Sequence, residues 1–180
     1  MQGGRITGSR GFQGLACEQG GSAELREVHI ADCKLSGVCC NGAGSQVDMQ
    51  GGQIAGSVML DGFACLEGGQ ARVDGTEIAG CKRHGVLSCG AGSEVVVHES
   101  RIVGSVEGHG VACQRGGWTE VRDAHITDCK LSGVCSVDEG SLVEVNGGHI
   151  AGPPGGLDVL CARGGQARVH GNEGADGTRG

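Results

Sequence analysis

Residues 30–54 have the sequence IADCKLSGVCCNGAGSQVDMQGGQI, which begins and ends on isoleucine. The 24-residue interval between these two isoleucines is kept along the whole chain. It relates every isoleucine of the sequence to the next: Ile6, Ile30, Ile54, Ile78, Ile102, Ile126 and Ile150. A glycine row from Gly20 to Gly164 and an aliphatic row from Leu25 to Val169 keep the same interval. A fixed period of this length, held over residues 4–171 without an insertion, predicts a solenoid.

A second period of 48 residues shows that the repeats are of two kinds. One kind carries a Gly-apolar-Ala-Cys segment, at residues 14–17, 62–65 and 110–113. The other carries Cys-Lys followed by Gly-Val, within residues 33–38, 81–86 and 129–134. In this second kind the Gly-Val pair comes one residue earlier. We therefore expect the turn that follows it to hold one extra residue.

Local alternation of apolar and polar residues, bounded by Gly, Asp and Ser, is typical of short β-strands. Each repeat has room for three of them, which in the fourth repeat lie near residues 77–79, 85–89 and 94–98. Strands that stack on their copies one turn away form parallel sheets around a narrow core. The sequence thus predicts an all-β, right-handed parallel β-helix of seven 24-residue coils with three short strands per coil. Its length would be about 34 Å at the usual spacing between strands.

Two sequence segments carry a resemblance to a known family. The pattern I-x-x-C-x-x-x-G-V from Ile30 to Val38, with G-x-x-V-x-V from Gly92 to Val97, resembles right-handed parallel β-helix repeats of pectin-lyase-like proteins. The nearest likeness is to the carbohydrate-binding and sugar-hydrolase type, also found in F-box-associated β-helices. The resemblance implies the fold. It implies no single function, because the same coil serves lyases, hydrolases, adhesins and scaffolds.

We divide the chain into a lead at residues 1–3, the solenoid at residues 4–171 and a glycine-rich tail at residues 172–180. The formal net charge is −7, and the basic residues are scattered, which argues against nucleic acid as a partner. No stretch of 18 apolar residues occurs, so we expect no membrane span. We find no candidate for a cofactor site.

Eleven cysteines, an odd number without any C-x-x-C pair, suggest free thiols and favour a reducing compartment over a secreted protein. Cys17, Cys65, Cys113 and Cys161 share one phase in alternate coils. The intervening positions of this inward ladder are filled either by Cys40, Ser88 and Ser136 or by Asn41, Cys89 and Val137. We favour the first set, because the second buries an asparagine without an evident partner.

The polysaccharide chemistry that this fold invites would need two carboxylates facing one groove. Glu24 with Asp48 and Glu120 with Glu144 are pairs on adjacent coils, but arginines lie beside them at residues 26 and 122. We interpret both pairs as parts of a solvated, charge-balanced surface and assign no catalytic residue. Trp118 is the one aromatic residue placed to act as a surface platform, and we interpret it as an interface anchor.

The histidines at residues 29, 125 and 149 share one outward phase, but too few ligands converge there for zinc. We assign no metal site. Lys34, Lys82 and Lys130 form a row on a turn in alternate coils, which would suit an acidic partner, although a solvated basic edge is the simpler interpretation.

These observations favour a non-enzymatic scaffold or protein-interaction subunit of a larger assembly. The alternative is a carbohydrate-binding or polysaccharide-cleaving domain. An open first coil would expose strand edges and core side chains. We therefore expect other protein subunits, or more of the same polypeptide, to cover the first coil through residues 4–27.

Overall fold

The computed structural model describes residues 1–9 and 11–172, together with the backbone of residues 178–179. Within these residues every regular element is a β-strand. Strands of successive coils pair in parallel along the axis of a solenoid of about seven coils. The fourth coil has strands at Glu77–Ala79, Val86–Cys89 and Glu94–His98, close to the predicted positions. The predicted all-β, parallel β-helix with three short strands per coil is confirmed.

The strands form three stacks, which we name in the order in which a coil visits them. The first stack contains the isoleucines: β1 (Gln2–Thr7), the second half of β3 (Ser22–Ala31), β6 (Gln53–Ala55), β9 (Glu77–Ala79), β12 (Arg101–Val103), β15 (His125–Thr127) and β18 (His149–Ile150). The second stack contains β2 (Leu15–Glu18), β4 (Val38–Asn41), β7 (Phe63–Leu66), β10 (Val86–Cys89), β13 (Val111–Gln114), β16 (Ser132–Val137), β19 (Leu157–Ala162) and β21 (Thr178–Arg179). The third stack contains the first half of β3, β5 (Gln46–Gln50), β8 (Gln70–Asp74), β11 (Glu94–His98), β14 (Trp118–Arg122), β17 (Leu142–Asn146) and β20 (Gln166–His170).

Hydrogen bonding joins the first and third stacks into a single 13-stranded sheet, and the second stack forms a separate 8-stranded sheet. The junction is β3, whose ten residues run without a break through both positions. Strand β1 begins at Gln2, inside the segment assigned to the lead. Of the tail, residues 173–177 and 180 lie outside the described residues, and Thr178 pairs with Val159 of β19.

The isoleucine row forms the centre of the core. Ile30 and the five isoleucines that follow it are fully buried, and each pairs in register with the next. The wall opposite them is a row of glycines. A β-carbon at Gly62 would lie 2.5 Å from Cγ2 of Ile78 and 2.7 Å from the carbonyl oxygen of Gly85. Only glycine fits at this position, because the chain passes so close to the isoleucine stack.

The register of the second stack shows which residues form the inward ladder. Its register pairs Cys40 with both Cys17 and Cys65, and pairs Ser88 with both Cys65 and Cys113. The ladder therefore contains Cys40, Ser88 and Ser136, which was the favoured set. Its polar atoms are satisfied by the next turn, since Ser88 Oγ donates to the carbonyl oxygen of Trp118 at 3.2 Å.

The two kinds of coil differ in their turns, as expected. The turn from Asn41 to Gln46 holds one residue more than the turn from Leu66 to Gln70. The extra residue accompanies a buried serine. Ser45 Oγ donates to the carbonyl oxygen of Asn41 at 2.8 Å and accepts from the N–H of Gly20 at 3.1 Å. This hydroxyl ties the longer turn to the preceding coil.

A buried polar ladder runs along the start of the second stack, just before the glycine row. The N–H of His84 donates to Asp61 Oδ1 at 3.1 Å, and the N–H of His109 donates to Nδ1 of His84 at 3.1 Å. His109 Nδ1 lies 2.6 Å from Oγ of Ser132, which donates to the carbonyl oxygen of Val134. His109 Nδ1 therefore carries the proton, and Nδ1 of His84 does not. The two rings stack with centroids 5.4 Å apart.

Replacing a central isoleucine by aspartate tests the phase of the coil. Ile78→Asp should destabilise the protein by more than about 4 kcal/mol, because it buries an unpaired charge. Val106→Asp is the matched control, since Val106 is an exposed aliphatic residue, and its cost should stay at about 0.5 kcal/mol. Urea denaturation measures both. A loss below about 1 kcal/mol for Ile78→Asp would mean that the isoleucines do not form the core.

Acid should destabilise the protein through the two stacked histidines. Burial lowers the pKa of His84 to about 3 and the pKa of His109 to about 4, from an ordinary value of 6.5. The unfolded chain therefore binds protons at these rings below pH 6.5, while the folded chain resists them. Their contribution to stability is complete above that pH and is lost as the pH falls towards 4.

The measurement is the free energy of unfolding in urea between about pH 7.5 and pH 5, above the range in which carboxylates normally titrate. His109→Asn removes one of the two titrating rings and keeps an N–H donor, so it should roughly halve the pH slope. His29→Gln, at an exposed histidine, should leave the slope unchanged. A stability that does not vary over this range in the unmodified protein would contradict the prediction.

Candidate functional site

The predicted lysine row lies on the loop between the first and second stacks. Lys34, Lys82 and Lys130 alternate there with two valines, so that the row is Lys34, Val58, Lys82, Val106 and Lys130 from coil to coil. Each of these residues donates its N–H to a carbonyl on the preceding coil; the N–H of Val58 reaches Cys33 at 2.9 Å, and the N–H of Lys130 reaches Ser105 at 3.0 Å. The loop is therefore stacked as regularly as the strands, at about 4.8 Å per coil.

A second row of the same loop adds apolar side chains. Leu35, Met59 and Leu131 directly follow members of the first row. We call these eight residues the corner ridge: Lys34, Leu35, Val58, Met59, Lys82, Val106, Lys130 and Leu131. Four aliphatic side chains of the ridge are at least half exposed: Val58 at 58 %, Met59 at 51 %, Val106 at 53 % and Leu131 at 50 %.

The buried polar ladder lies on the inner side of the loop that carries the corner ridge. His84 comes two residues after Lys82, and Ser132 comes two residues after Lys130. Their hydrogen bonds hold the inner side of the loop while the ridge side chains point to solvent. The ridge is thus a rigid surface in which aliphatic groups remain exposed because the backbone below them is fixed.

The charge of the corner ridge contrasts with that of the chain as a whole. Lys82 forms an ion pair with Glu107 of the next coil. Within the described part of the chain, no carboxylate lies within ion-pair distance of Lys34 or Lys130. Arg83 is exposed beside Lys82. The ridge therefore presents unneutralised positive charge on a protein whose formal net charge is −7.

Trp118 lies on a different surface, the outer side of the third stack. Its ring is half-buried, and Nε1 donates to Glu144 Oε2 at 3.2 Å. In the register it stands between Glu94 and Leu142. The structure thus places the three lysines in one row on alternate coils and places Trp118 on a different surface.

The carboxylates of the third stack are engaged by arginines. Glu24 forms an ion pair with Arg26, Glu120 pairs with Arg122, and Glu144 pairs with the arginine at position 168. Hydrogen bonds from Arg26 and Arg168 lower the pKa of Glu24 and the pKa of Glu144, respectively. A carboxyl that works as a general acid needs a raised pKa, so these groups have the opposite electrostatics.

The described residues bring one group of metal-ligand types together, Asp74, His98 and Glu99. His98 Nδ1 lies 3.0 Å from Asp74 Oδ1, whereas its Nε2 faces Glu99 at 3.7 Å. Arg72 also holds Asp74 at 3.0 Å. The two ring nitrogens therefore face different carboxylates, one of which is already paired with a cation.

The rings of His125 and His149 are adjacent, with centroids 6.2 Å apart.

All eleven cysteines are free thiols, and ten of them are buried. Burial raises the pKa of Cys81 and the pKa of Cys113 to about 11. These two thiols are therefore protonated at neutral pH. They contribute to packing and are weak nucleophiles, because only the thiolate is a strong one.

The sequence predicted the three lysines of the corner ridge but not its five aliphatic residues, and it did not predict the polar ladder. The valines of the ridge could have been found, because Val58 and Val106 follow their isoleucines by the same four residues as the lysines do. The polar ladder was harder to find. Asp61, His84 and His109 are separated by 23 and then 25 residues, so a strict 24-residue alignment scatters them.

Comparisons with known proteins agree with this architecture. A family profile described as the right handed beta helix region matches residues 5–150. No curated protein and no solved structure matches the chain. Among the described residues, no helix is long and apolar enough to cross a membrane. The match covers most of the sequence, and the chain belongs to the right-handed β-helix family.

Proposed function

We propose that this chain is a non-enzymatic scaffold whose first coil is covered by another protein subunit or by further polypeptide. The observation that carries the proposal is the exposure of that coil. Ile6 and Leu15 are only half-buried, whereas Ile30 and Val38, at the same positions one coil later, are fully buried. The core of the rod thus reaches the surface at this end.

Open strand edges support the same proposal. Strand β2 (Leu15–Glu18) is the end strand of the second stack. In the third stack, the first half of β3 pairs with β5, and on its other side Met1 and Gln2 bond only to Glu24 and Arg26, so the edge from Ser22 to Ala23 stays open. Unpaired N–H and C=O groups on such edges favour pairing with another chain. Residues 4–27 are therefore the proposed contact.

The electrostatics of the third stack support a scaffold over a hydrolase. Glu24, Glu120 and Glu144 are paired with arginines of the same face, and these contacts lower the pKa of Glu24 and the pKa of Glu144. A rigid rod of this kind acts by holding surface residues at fixed positions, since each row repeats every ~4.8 Å along the axis.

Native mass spectrometry and light scattering on the 180-residue chain test the covered first coil. We expect the isolated chain to associate, and we expect rapid amide exchange in residues 4–9 compared with residues 77–79 of the central coil. Addition of the natural partner should slow the exchange of residues 4–9 alone. A stable, soluble monomer with slow exchange in residues 4–9 would refute the proposal.

A carbohydrate ligand is the second candidate, and one specific observation favours it. The third stack carries a shallow groove of about 480 Å³ lined in part by Glu24, Asp48, Gln70, Arg72 and Glu94. Asp48 Oδ2 accepts a hydrogen bond from the amide of residue 50, but the buried Oδ1 has no partner among the described residues. Rotation of the Asp48 carboxylate would bring this oxygen into the groove, where a sugar hydroxyl can donate to it.

A glycan array with the purified chain tests this candidate. Three carboxylates and one arginine line the groove, so neutral sugars should bind in preference to polyuronates. Asp48→Asn should abolish any signal, and Glu67→Gln, at an exposed carboxylate outside the groove, should preserve it. Binding that survives Asp48→Asn would place the ligand elsewhere, and cleavage of a polyuronate would overturn the scaffold proposal.

A further inference from the structure

We infer that the corner ridge binds an acidic amphipathic helix of a protein partner, laid along the axis of the rod. The inference rests on the scaffold function proposed above but concerns a different surface from the first coil. It is carried by three properties of the ridge: exposed aliphatic side chains, unpaired lysines and a fixed spacing.

The exposed aliphatic groups form two clusters, one on each side of Lys82. Val58 and Met59 form the first, and Val106 and Leu131 of the next coil form the second, all at least half exposed. Val58 and Val106 are two coils apart, which is about 9.6 Å along the axis. Scattered apolar residues on a surface need no explanation, but a patch of aliphatic residues bordered by charges is typical of a protein interface.

The lysines specify the charge of the partner. Lys34 and Lys130 stand at the two ends of the row and have no carboxylate partner in the described part of the chain. Lys82, at the centre, has Glu107 as its partner, and that pair is exposed. Since the protein is acidic overall, an acidic ligand is repelled by the protein as a whole, and the unneutralised lysines of the ridge provide a local attraction. The ridge therefore selects an acidic segment.

The spacing specifies a helix. Lysine and valine alternate at each coil, so a matching ligand must alternate acidic and apolar groups at about 4.8 Å intervals. Side chains on one face of an extended strand are about 6.8 Å apart, so a strand would need an inclination of about 45° and would move about 4.8 Å off the row with every coil. Successive turns of an α-helix are 5.4 Å apart, so a helix inclined by only about 27° to the rod advances about 4.8 Å per turn and moves half as far sideways.

The length of the ridge sets the length of the ligand. Lys34 and Lys130 are four coils apart, which corresponds to about 19 Å. An inclined helix covers that distance with about 15 residues. Such a helix would place acidic side chains opposite the three lysines and aliphatic side chains opposite the two valines.

The test uses the full 180-residue chain and a synthetic helical peptide of 18 residues, which is about 15 plus flanking residues, with Glu and Leu alternating at successive turns of one face. Fluorescence anisotropy measures Kd. The same peptide with Lys in place of Glu is the charge control. We expect the acidic peptide to bind at least about tenfold more tightly than the basic one, and we expect added salt to weaken its binding.

Variants of the protein locate the site. K34Q/K82Q/K130Q should weaken binding at least about tenfold, whereas R101Q/R115Q/R163Q removes the same charge from other faces and should change Kd by less than about twofold. V58T/V106T keeps the shape of the side chains and should weaken binding by about three- to tenfold. Circular dichroism of each variant confirms that the rod is folded.

Three outcomes would overturn the inference: no binding of the acidic peptide, equal weakening by the two triple variants, or binding of anionic phospholipid vesicles in place of the peptide. These outcomes are independent of the first coil, because the oligomeric state and the amide exchange of residues 4–9 test that surface separately. Failure at the ridge would therefore leave the scaffold proposal standing, and failure at the first coil would leave the peptide result intact.

Discussion

The close approach of a glycine row to the isoleucine stack determines the shape of this rod. At Gly85, an added β-carbon would lie 2.3 Å from Cγ2 of Ile102 and 2.7 Å from the carbonyl oxygen of Gly110. The chain can pass there only without a side chain, so its path into the second stack is fixed in every central coil. Because that path is fixed, the preceding loop is also fixed, and its outer residues form the corner ridge.

The same constraint explains why a chain so rich in glycine and poor in large apolar residues folds. A core this narrow is filled by one isoleucine per coil at its centre, with valines and thiols around it and a second large side chain in only a few coils, such as Leu25, Met49 and Phe63. Hydrogen bonds between coils provide the remaining order, since strands and loops alike donate to the coil beside them. Composition alone would have suggested disorder, and periodicity corrects that inference.

Most of the fold was predictable because isoleucine occurs at a single position of each coil and nowhere else. The isoleucine row gives the length of the coil, its phase and its buried side without ambiguity. The inward ladder was less certain, because the register of the second stack depends on turn length, and Cys40 and Asn41 are adjacent candidates. We preferred Cys40 because Asn41 would have been buried without a partner, and the register confirms that preference.

Exposure was harder to predict than secondary structure. Val106 and Val97 have the same side chain, yet one is exposed on the ridge and the other is fully buried. The residue type does not distinguish them, but their positions in the repeat do: Val97 belongs to the aliphatic row, and Val106 shares its position with the lysines. The polar ladder was missed for a related reason, since Asp61 and His84 are polar residues in a buried row that departs from the 24-residue interval.

The two long surfaces of the rod differ in how their charges are satisfied. On the third stack, acidic and basic residues of one face neutralise one another, as in the pair of Glu120 and Arg122. On the corner ridge, aliphatic residues separate the lysines, so Lys34 and Lys130 have no such partners among the described residues. A neutralised surface gains little from a charged ligand, whereas an unneutralised one retains its attraction.

The alternation of two kinds of coil makes the pair of coils the unit in which this rod can change length. Loss of one valine-bearing coil would place two lysines on neighbouring loops about 4.8 Å apart and would set two long turns side by side. Loss or gain of 48 residues would preserve the alternation of loops and turns, because each kind of coil would still meet the other. A change of that size shifts the end of the rod by about 9.6 Å and leaves its surface pattern unaltered. Rods of different reach could therefore arise from this sequence by duplication of one DNA segment, with no compensating substitution.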